Sequence, residues 1–180
     1  MKKYIAVIVV ILIVVFMVII PPIFINVSYQ VKYNDIILKY AKIYNLDSSV
    51  VLAVIKTESN FNASAKSKVG AIGLMQIMPD TAKEIAFKLK EDYVYEMLYD
   101  VDTNIEYGCY YIRYLLNMFD EDYNLAIASF NAGFSNVKMW LKNVEYSMDG
   151  KNLTYIPFKE TREYVKKVNF AKKIYKIKCG

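Results

Sequence analysis

The chain has 18 acidic residues and no histidine, so any catalysis must rest on carboxylates, hydroxyls, amides or lysines. Without an imidazole there is no Ser-His or Cys-His dyad and no zinc site with the usual histidine ligands. One carboxylate has an unusual setting. Val51, Val54, Ile55 and Glu58 fall at i, i+3, i+4 and i+7, so on a helix the glutamate shares a face with three aliphatic side chains. Desolvation disfavours a charged carboxylate and raises its pKa, which is what a general acid working near neutral pH needs. The alternative is a helix-end glutamate turned to solvent, and this segment alone does not separate the two.

The elements that must position such a residue are chiefly helical. Ile36, Ile37, Tyr40, Ala41 and Tyr44 recur at three-and-four spacing until Asn45 breaks the run, and Asp47 can cap a second helix that carries Glu58. Thr81 with Glu84, and Thr103 with Glu106, have capping-box spacing and predict two more helix starts. The second start leads into the stripe Ile105, Cys109, Ile112, Leu116 and Phe119, which makes Cys109 a core side chain rather than a reactive thiol or a partner for the terminal Cys179. Shorter helices are expected over 124–130 and 135–141, separated by Asn131-Ala132-Gly133, and a last one over 160–176. Asp149-Gly150 within 144–156 is a hairpin signal. These elements predict one mostly α domain with a small β element.

The apolar fraction is 56%, and the excess sits at the N-terminus, where no charge occurs between Lys3 and Lys32. The run is long enough for a bilayer, which needs roughly 20 apolar residues. Its exit, Ile19-Ile20-Pro21-Pro22, has no small residues for signal cleavage and no cysteine for lipidation. The expected division is a cytoplasmic end at 1–3, one transmembrane helix at 4–24, a connector at 25–32 and a domain at 33–180. Lys2 and Lys3 put the short N-terminus in the cytoplasm and the domain outside it. Beyond those lysines 21 basic residues face 18 acidic ones, a mild positive balance that does not indicate nucleic acid.

Glu58-Ser59-Asn60-Phe61, followed by Ser67-Lys68-Val69-Gly70-Ala71-Ile72-Gly73-Leu74-Met75-Gln76-Ile77-Met78-Pro79, resembles the signature of the soluble-lytic-transglycosylase family, glycoside hydrolase family 23. Further matches follow in order: Asp100 with Asn104-Ile105 and Gly108, then Asn131-Ala132-Gly133, then Glu160-Thr161-Arg162-Glu163-Tyr164-Val165. The resemblance covers about 33–176 and implies a goose-type-lysozyme-like, lysozyme-like fold acting on peptidoglycan glycan strands. It also implies that Glu58 is the acid and base of a cut at the MurNAc–GlcNAc bond that leaves 1,6-anhydroMurNAc ends, without metal or organic cofactor. The mild positive charge suits anionic wall polymers.

By the same resemblance Ser67 and Gln76 line the site. Gly70 and Gly73 let backbone approach a sugar, and Gln76 offers donor and acceptor to an acetamido group. A turn hydroxyl is the alternative for Ser67. Phe130 stands where the family has tyrosine, so a phenol expected near Glu58 is missing, while Asn131 keeps its hydrogen bonds. Glu160 and Arg162 close one side of the groove in the resemblance; an ion pair fixing the helix start is their alternative. The neighbouring functional readings are a lysozyme-like hydrolase on the same scaffold and a non-catalytic wall-binding module.

Overall fold

The computed structural model describes residues 4, 8, 9 and 12–179. The chain separates into two compact units, Met1–Lys32 and Tyr33–Gly180. In the first unit a π-helical stretch, Val15–Ile19, runs directly into α1 (Ile20–Ser28). Pro21 and Pro22 lie just after the junction of the two stretches, and a proline cannot donate the amide bond of a regular helix. The expected span at 4–24 includes 5–7, 10 and 11, which lie outside the described residues. Among the described residues no helix is long and apolar enough to cross a membrane. Residues 25–28 of the expected connector belong to α1.

The second unit contains, among the described residues, α2 (Asn34–Ile43), α3 (Ser48–Ser59), α4 (Pro79–Leu89), a 3-10 turn (Tyr95–Tyr99), α5 (Val101–Met118), α6 (Tyr123–Ala132), α7 (Phe134–Lys142) and α8 (Lys159–Cys179). Its centre is α3, whose residues Val50, Val51, Leu52, Ala53, Val54 and Ile55 are all buried. A helix hydrophobic all round has to be enclosed on every side. The most extensive neighbour is α8, which turns Thr161, Tyr164, Val165, Val168, Ala171 and Tyr175 inward. Helix α2 packs on α3 and α5, and α6 bridges α5 to α8. Cys109 is buried and Cys179 exposed, both as free thiols.

Helix starts follow the strongest local acceptor. Asp47 caps α3 as expected, taking the Ser49 amide at 2.9 Å. Helix α5 is capped by Asp100, which accepts from the Thr103 amide at 2.9 Å, so Thr103 lies inside the helix it was expected to start. A carboxylate there both accepts the bond and meets the positive end of the helix dipole. Helix α4 begins at Pro79 rather than Thr81, because a proline at the first position is already set at the helical φ.

The hairpin expected over 144–156 does not form. The Asp149 carboxylate accepts from the Lys151 and Asn152 amides at 2.8 and 2.7 Å, and the Thr154 amide returns to the Tyr146 carbonyl at 2.8 Å. An aspartate that bonds nearby backbone donors in this way competes with a strand ladder. The β pairing lies elsewhere, as the isolated bridges Lys66–Ile72 and Ile72–Ile77.

Those bridges belong to the glycine-rich loop, which Asn104 of α5 holds in place. Its Nδ2 donates to the Ile72 and Leu98 carbonyls at 3.0 and 2.8 Å, and its Oδ1 accepts from the Met75 amide at 2.8 Å. Gly73 has φ +79, and a Cβ there would lie 2.3 Å from Asn104 Nδ2; a Cβ on Gly108 would lie 2.1 Å from the Met75 sulfur. The loop can therefore sit on α5 only where both side chains are absent. Truncating Asn104 would take this partner from the Leu98 carbonyl and the Met75 amide, while the Ile72 carbonyl keeps the Ile77 amide at 3.0 Å; each buried group left unpaired costs about 1–3 kcal/mol. Asn104→Ala is expected to lower stability by about 3 kcal/mol in urea unfolding; a loss below about 1 kcal/mol would mean that water replaces the amide.

Candidate active site

Glu58 lies in the last turn of α3. Asn60 and Phe61 follow with φ of 52° and 63°, a left-handed pair that is uncommon for non-glycine residues. Phe61 is buried, with its ring edge-on to Tyr175 of α8 at 6.4 Å. The chain thus turns sharply at the end of α3 and enters the loop that flanks the glutamate. Ser59 fastens that junction by donating to the Leu74 carbonyl at 2.8 Å.

The carboxylate itself is held by α8. Tyr164 donates its hydroxyl to Glu58 Oε1 at 2.6 Å. Burial pushes the Glu58 pKa up to about 7; the Tyr164 hydrogen bond pulls it down, and the negative charge of Glu160 pushes it further up. Burial and the adjacent carboxylate raise the Tyr164 phenol well above its ordinary value, so it remains a donor. Near neutral pH Glu58 is divided between acid and carboxylate, with one oxygen committed to Tyr164.

The glycine-rich loop presents Gln76 in a left-handed conformation, φ 50°. Its amide nitrogen donates to the Gly73 and Ala65 carbonyls at 2.9 and 3.2 Å. Both donors expected for a ligand are therefore spent on the loop, leaving the amide oxygen as the group that a ligand N–H could meet. Ser67 makes the turn bonds: its Oγ accepts from the Ala71 amide at 2.9 Å, and its own amide donates to the Ala71 carbonyl at 2.9 Å.

Asn131 and Glu160 meet across one open cleft of about 530 Å³, lined also by Ala132, Pro157, Phe158 and Lys159. Phe130 packs on Tyr111 with ring centroids 5.5 Å apart. Arg162 does not pair with Glu160. It donates to the Ile156 carbonyl at 2.6 Å and lies 4.7 Å from the Tyr155 ring, tying the preceding loop to the start of α8.

Tyr164 is the residue that sequence reasoning missed. The substitution at Phe130 suggested a glutamate without a phenol, yet Glu58 receives one from α8. The available signal was periodic: Thr161, Tyr164, Val165 and Val168 share one face, and a tyrosine on a buried face needs a partner for its hydroxyl.

Residues 35–153 match the family described as Transglycosylase SLT domain. This chain belongs to that family. It is 36% identical over 143 residues to the soluble lytic murein transglycosylase of Salmonella typhimurium, covering 78% of this chain and 22% of that protein. It is 30% identical over 167 residues to the membrane-bound lytic murein transglycosylase C of Shigella sonnei, covering 81% and 46%. Among solved structures, an inactive glutamate-to-glutamine mutant of lytic transglycosylase Slt from Pseudomonas aeruginosa superposes with TM-score 0.74 at 34% identity, over 83% of this chain and 25% of that one. The 70 kDa soluble lytic transglycosylase of Escherichia coli gives TM-score 0.75 at 32% identity, over 84% and 25%. The chain thus spans about a quarter of the length of these soluble transglycosylases, and its mostly helical, lysozyme-like fold is that of the SLT domain.

The raised pKa of Glu58 has a consequence for stability. Below its ordinary value of 4.5 the group is protonated both folded and unfolded, and no penalty arises. Between about 4.5 and about 7 the unfolded chain ionises first, so stability falls; above about 7 the full penalty persists. Glu58→Gln keeps an acceptor for Tyr164 and removes the ionisation. It is expected to gain up to about 3 kcal/mol over wild type between pH 4 and pH 8, read from urea unfolding at both pH values. Equal differences at the two pH values would show that the carboxylate is not desolvated.

Proposed function

We propose that this SLT domain cleaves the MurNAc–GlcNAc bond of peptidoglycan without water, leaving 1,6-anhydroMurNAc ends, with Glu58 as acid and then base. The observation that carries this reading is a largely desolvated glutamate whose pKa is pushed up to about 7, with Oε1 held by the Tyr164 hydroxyl at 2.6 Å. The protonated carboxyl gives its proton to the glycosidic oxygen as the bond to the muramic-acid anomeric carbon breaks, and the sugar's acetamido oxygen stabilises the developing cation. Glu58, now ionised, accepts the proton of the C6 hydroxyl as O6 attacks the same carbon and closes the ring. The acid is regenerated and no second carboxylate is needed, unlike in ordinary two-carboxylate glycosidases.

Asn131 and Glu160 line the cleft, and on this reading Phe130, Ser67 and the Gln76 oxygen also meet the glycan. A glutamate-to-glutamine change is also the mutation present in the inactive Pseudomonas enzyme. A module that only binds glycan would gain nothing from a desolvated carboxylate. A hydrolase would use the same acid but release reducing ends.

Residues 4–24 are proposed to anchor the chain in the bacterial cell membrane, with the SLT domain on the outer side. The uncharged run and the two N-terminal lysines support this, as does likeness to a relative named membrane-bound. In cell fractionation the full chain should sediment with membranes and retain its original N-terminus; a soluble product starting beyond Asn26 would overturn the anchor.

Glu58→Gln is expected to abolish release of anhydro-muropeptides from purified peptidoglycan, by about 10⁴-fold or more, because one group carries both proton transfers. Mass spectrometry of the digest reads it. Since the free enzyme must start protonated, wild-type kcat/KM should be flat in acid and fall as pH rises through about 7. Comparable release by the mutant would remove Glu58 from the chemistry, and reducing-end products from wild type would favour the hydrolase.

A further inference from the structure

A second cleft, of about 280 Å³, lies in the second unit and shares no lining residue with the cleft of Asn131 and Glu160. It forms where the end of α5, the start of α6 and the length of α7 meet the loop over 149–152. Its apolar floor comes from Phe119, Leu125, Phe134 and Leu141. Phe119 and Leu125 are buried, and the Phe119 and Phe134 rings pack at a tilt with centroids 5.5 Å apart. Around that floor stand Lys138, Lys142 and Lys151, all exposed, against one carboxylate, Asp120.

None of these three lysines makes an ion pair among the described residues. Lys138 holds its ammonium 5.4 Å from the Phe134 ring, at the apolar wall of the cleft itself. The other carboxylates of the two bordering turns are engaged elsewhere. Glu121 pairs with Arg113 at 2.5 Å, Asp122 caps α6 by accepting from the Leu125 amide at 2.9 Å, and Asp149 accepts from the Lys151 and Asn152 amides. The Asp149 loop thus sets Gly150 and Lys151 at the cleft and leaves the Lys151 ammonium unpaired. Unneutralised cations at the edge of a ring-lined floor match a ligand with an apolar body and an anionic head. A bare anion would leave the floor in water, and an uncharged apolar molecule would leave the cations unused. Ligand clefts run from about 300 to 1,000 Å³, so this one suits a short chain rather than a whole lipid. Lysine acts as a point charge without a fixed fork, so the head is specified by its charge more than by its shape.

We propose that this cleft binds a small amphipathic anion, its apolar body against Phe119, Phe134 and Leu141 and its head met by Lys138, Lys142 and Lys151. The site is separate from the Glu58 chemistry and does not rest on the cleavage reading.

The chain carries its own reporter. Trp140 is the sole tryptophan; it is buried on α7 next to Leu141 and meets Phe158 edge-on at 5.0 Å. The full chain in neutral detergent micelles is titrated with octanoate, octylamine and propionate while Trp140 emission and heat are both followed. Octanoate is expected to bind saturably with a Kd of about 1 mM or below, an ordinary affinity for a ligand of that size. Octylamine, with the opposite charge, and propionate, without the chain, should bind at least tenfold more weakly. Lys142→Glu with Lys151→Glu should weaken octanoate at least tenfold and make octylamine the tighter ligand, with circular dichroism unchanged. The double variant is also the blank for partition into micelles, which is common to both proteins.

A preference for octanoate that the charge swap reverses supports the site even if Glu58 proves not to be the catalyst. Tighter binding of N-acetylphenylalanine than of octanoate, lost in the same variant, also supports it and assigns the head to the carboxylate end of a peptide. Equal binding of octanoate and octylamine by the wild type would reduce the cleft to apolar packing and overturn the proposal. An octanoate response unchanged by the charge swap would place the binding elsewhere and overturn it as well, as would the absence of both an emission change and heat.

Discussion

The hydrogen bond from Tyr164 to Glu58 joins the two most closely packed helices of the domain at the point where its chemistry would occur. A carboxylate at the end of an enclosed helix is under opposing demands. Burial must be deep enough to raise its pKa, yet an uncompensated buried charge would be costly. The phenol resolves this by bonding one oxygen strongly while adding no charge. A lysine or arginine in that place would hold the glutamate ionised and remove the acid.

The same packing explains why residues far apart in the chain form one site. Helix α3 cannot expose any side over Val50–Ile55, so α8 must cover it, and that cover brings Tyr164 and Glu160 toward Glu58. On the other flank the glycine-rich loop is shaped by α5 through Asn104, Gly73 and Gly108. Gln76 and Ser67 spend much of their hydrogen-bonding capacity on that loop. Their first effect is to hold the shape that a sugar would meet, and what they leave for a ligand is narrower than their chemical formulas suggest.

The SLT match covers about a quarter of the length of the soluble relatives. In this chain the domain follows an apolar N-terminal unit directly, and its own last helix concentrates the positive charge.

Local signals in the sequence reached as far as their physics is local. The burial of Glu58 was legible because helical periodicity alone aligns it with Val51, Val54 and Ile55, and Asp47 was legible as a cap because it bonds an amide two residues away. Capping at Asp100 in place of Thr103, and the start at Pro79, were misjudged where two local acceptors or starts competed within a few residues. The Asp149-Gly150 pair suggested a hairpin, but strand pairing needs a partner surface, and a carboxylate that satisfies its own backbone makes a loop sufficient. By itself the sequence determined the helical class, the family motifs and the apolar setting of Glu58. Only the tertiary structure decided which phenol meets that glutamate, that Gln76 gives its donors to the loop, and that Arg162 holds a carbonyl rather than Glu160. Those choices depend on how α8 and α5 are brought against α3, and no spacing along the chain encodes a distance between helices.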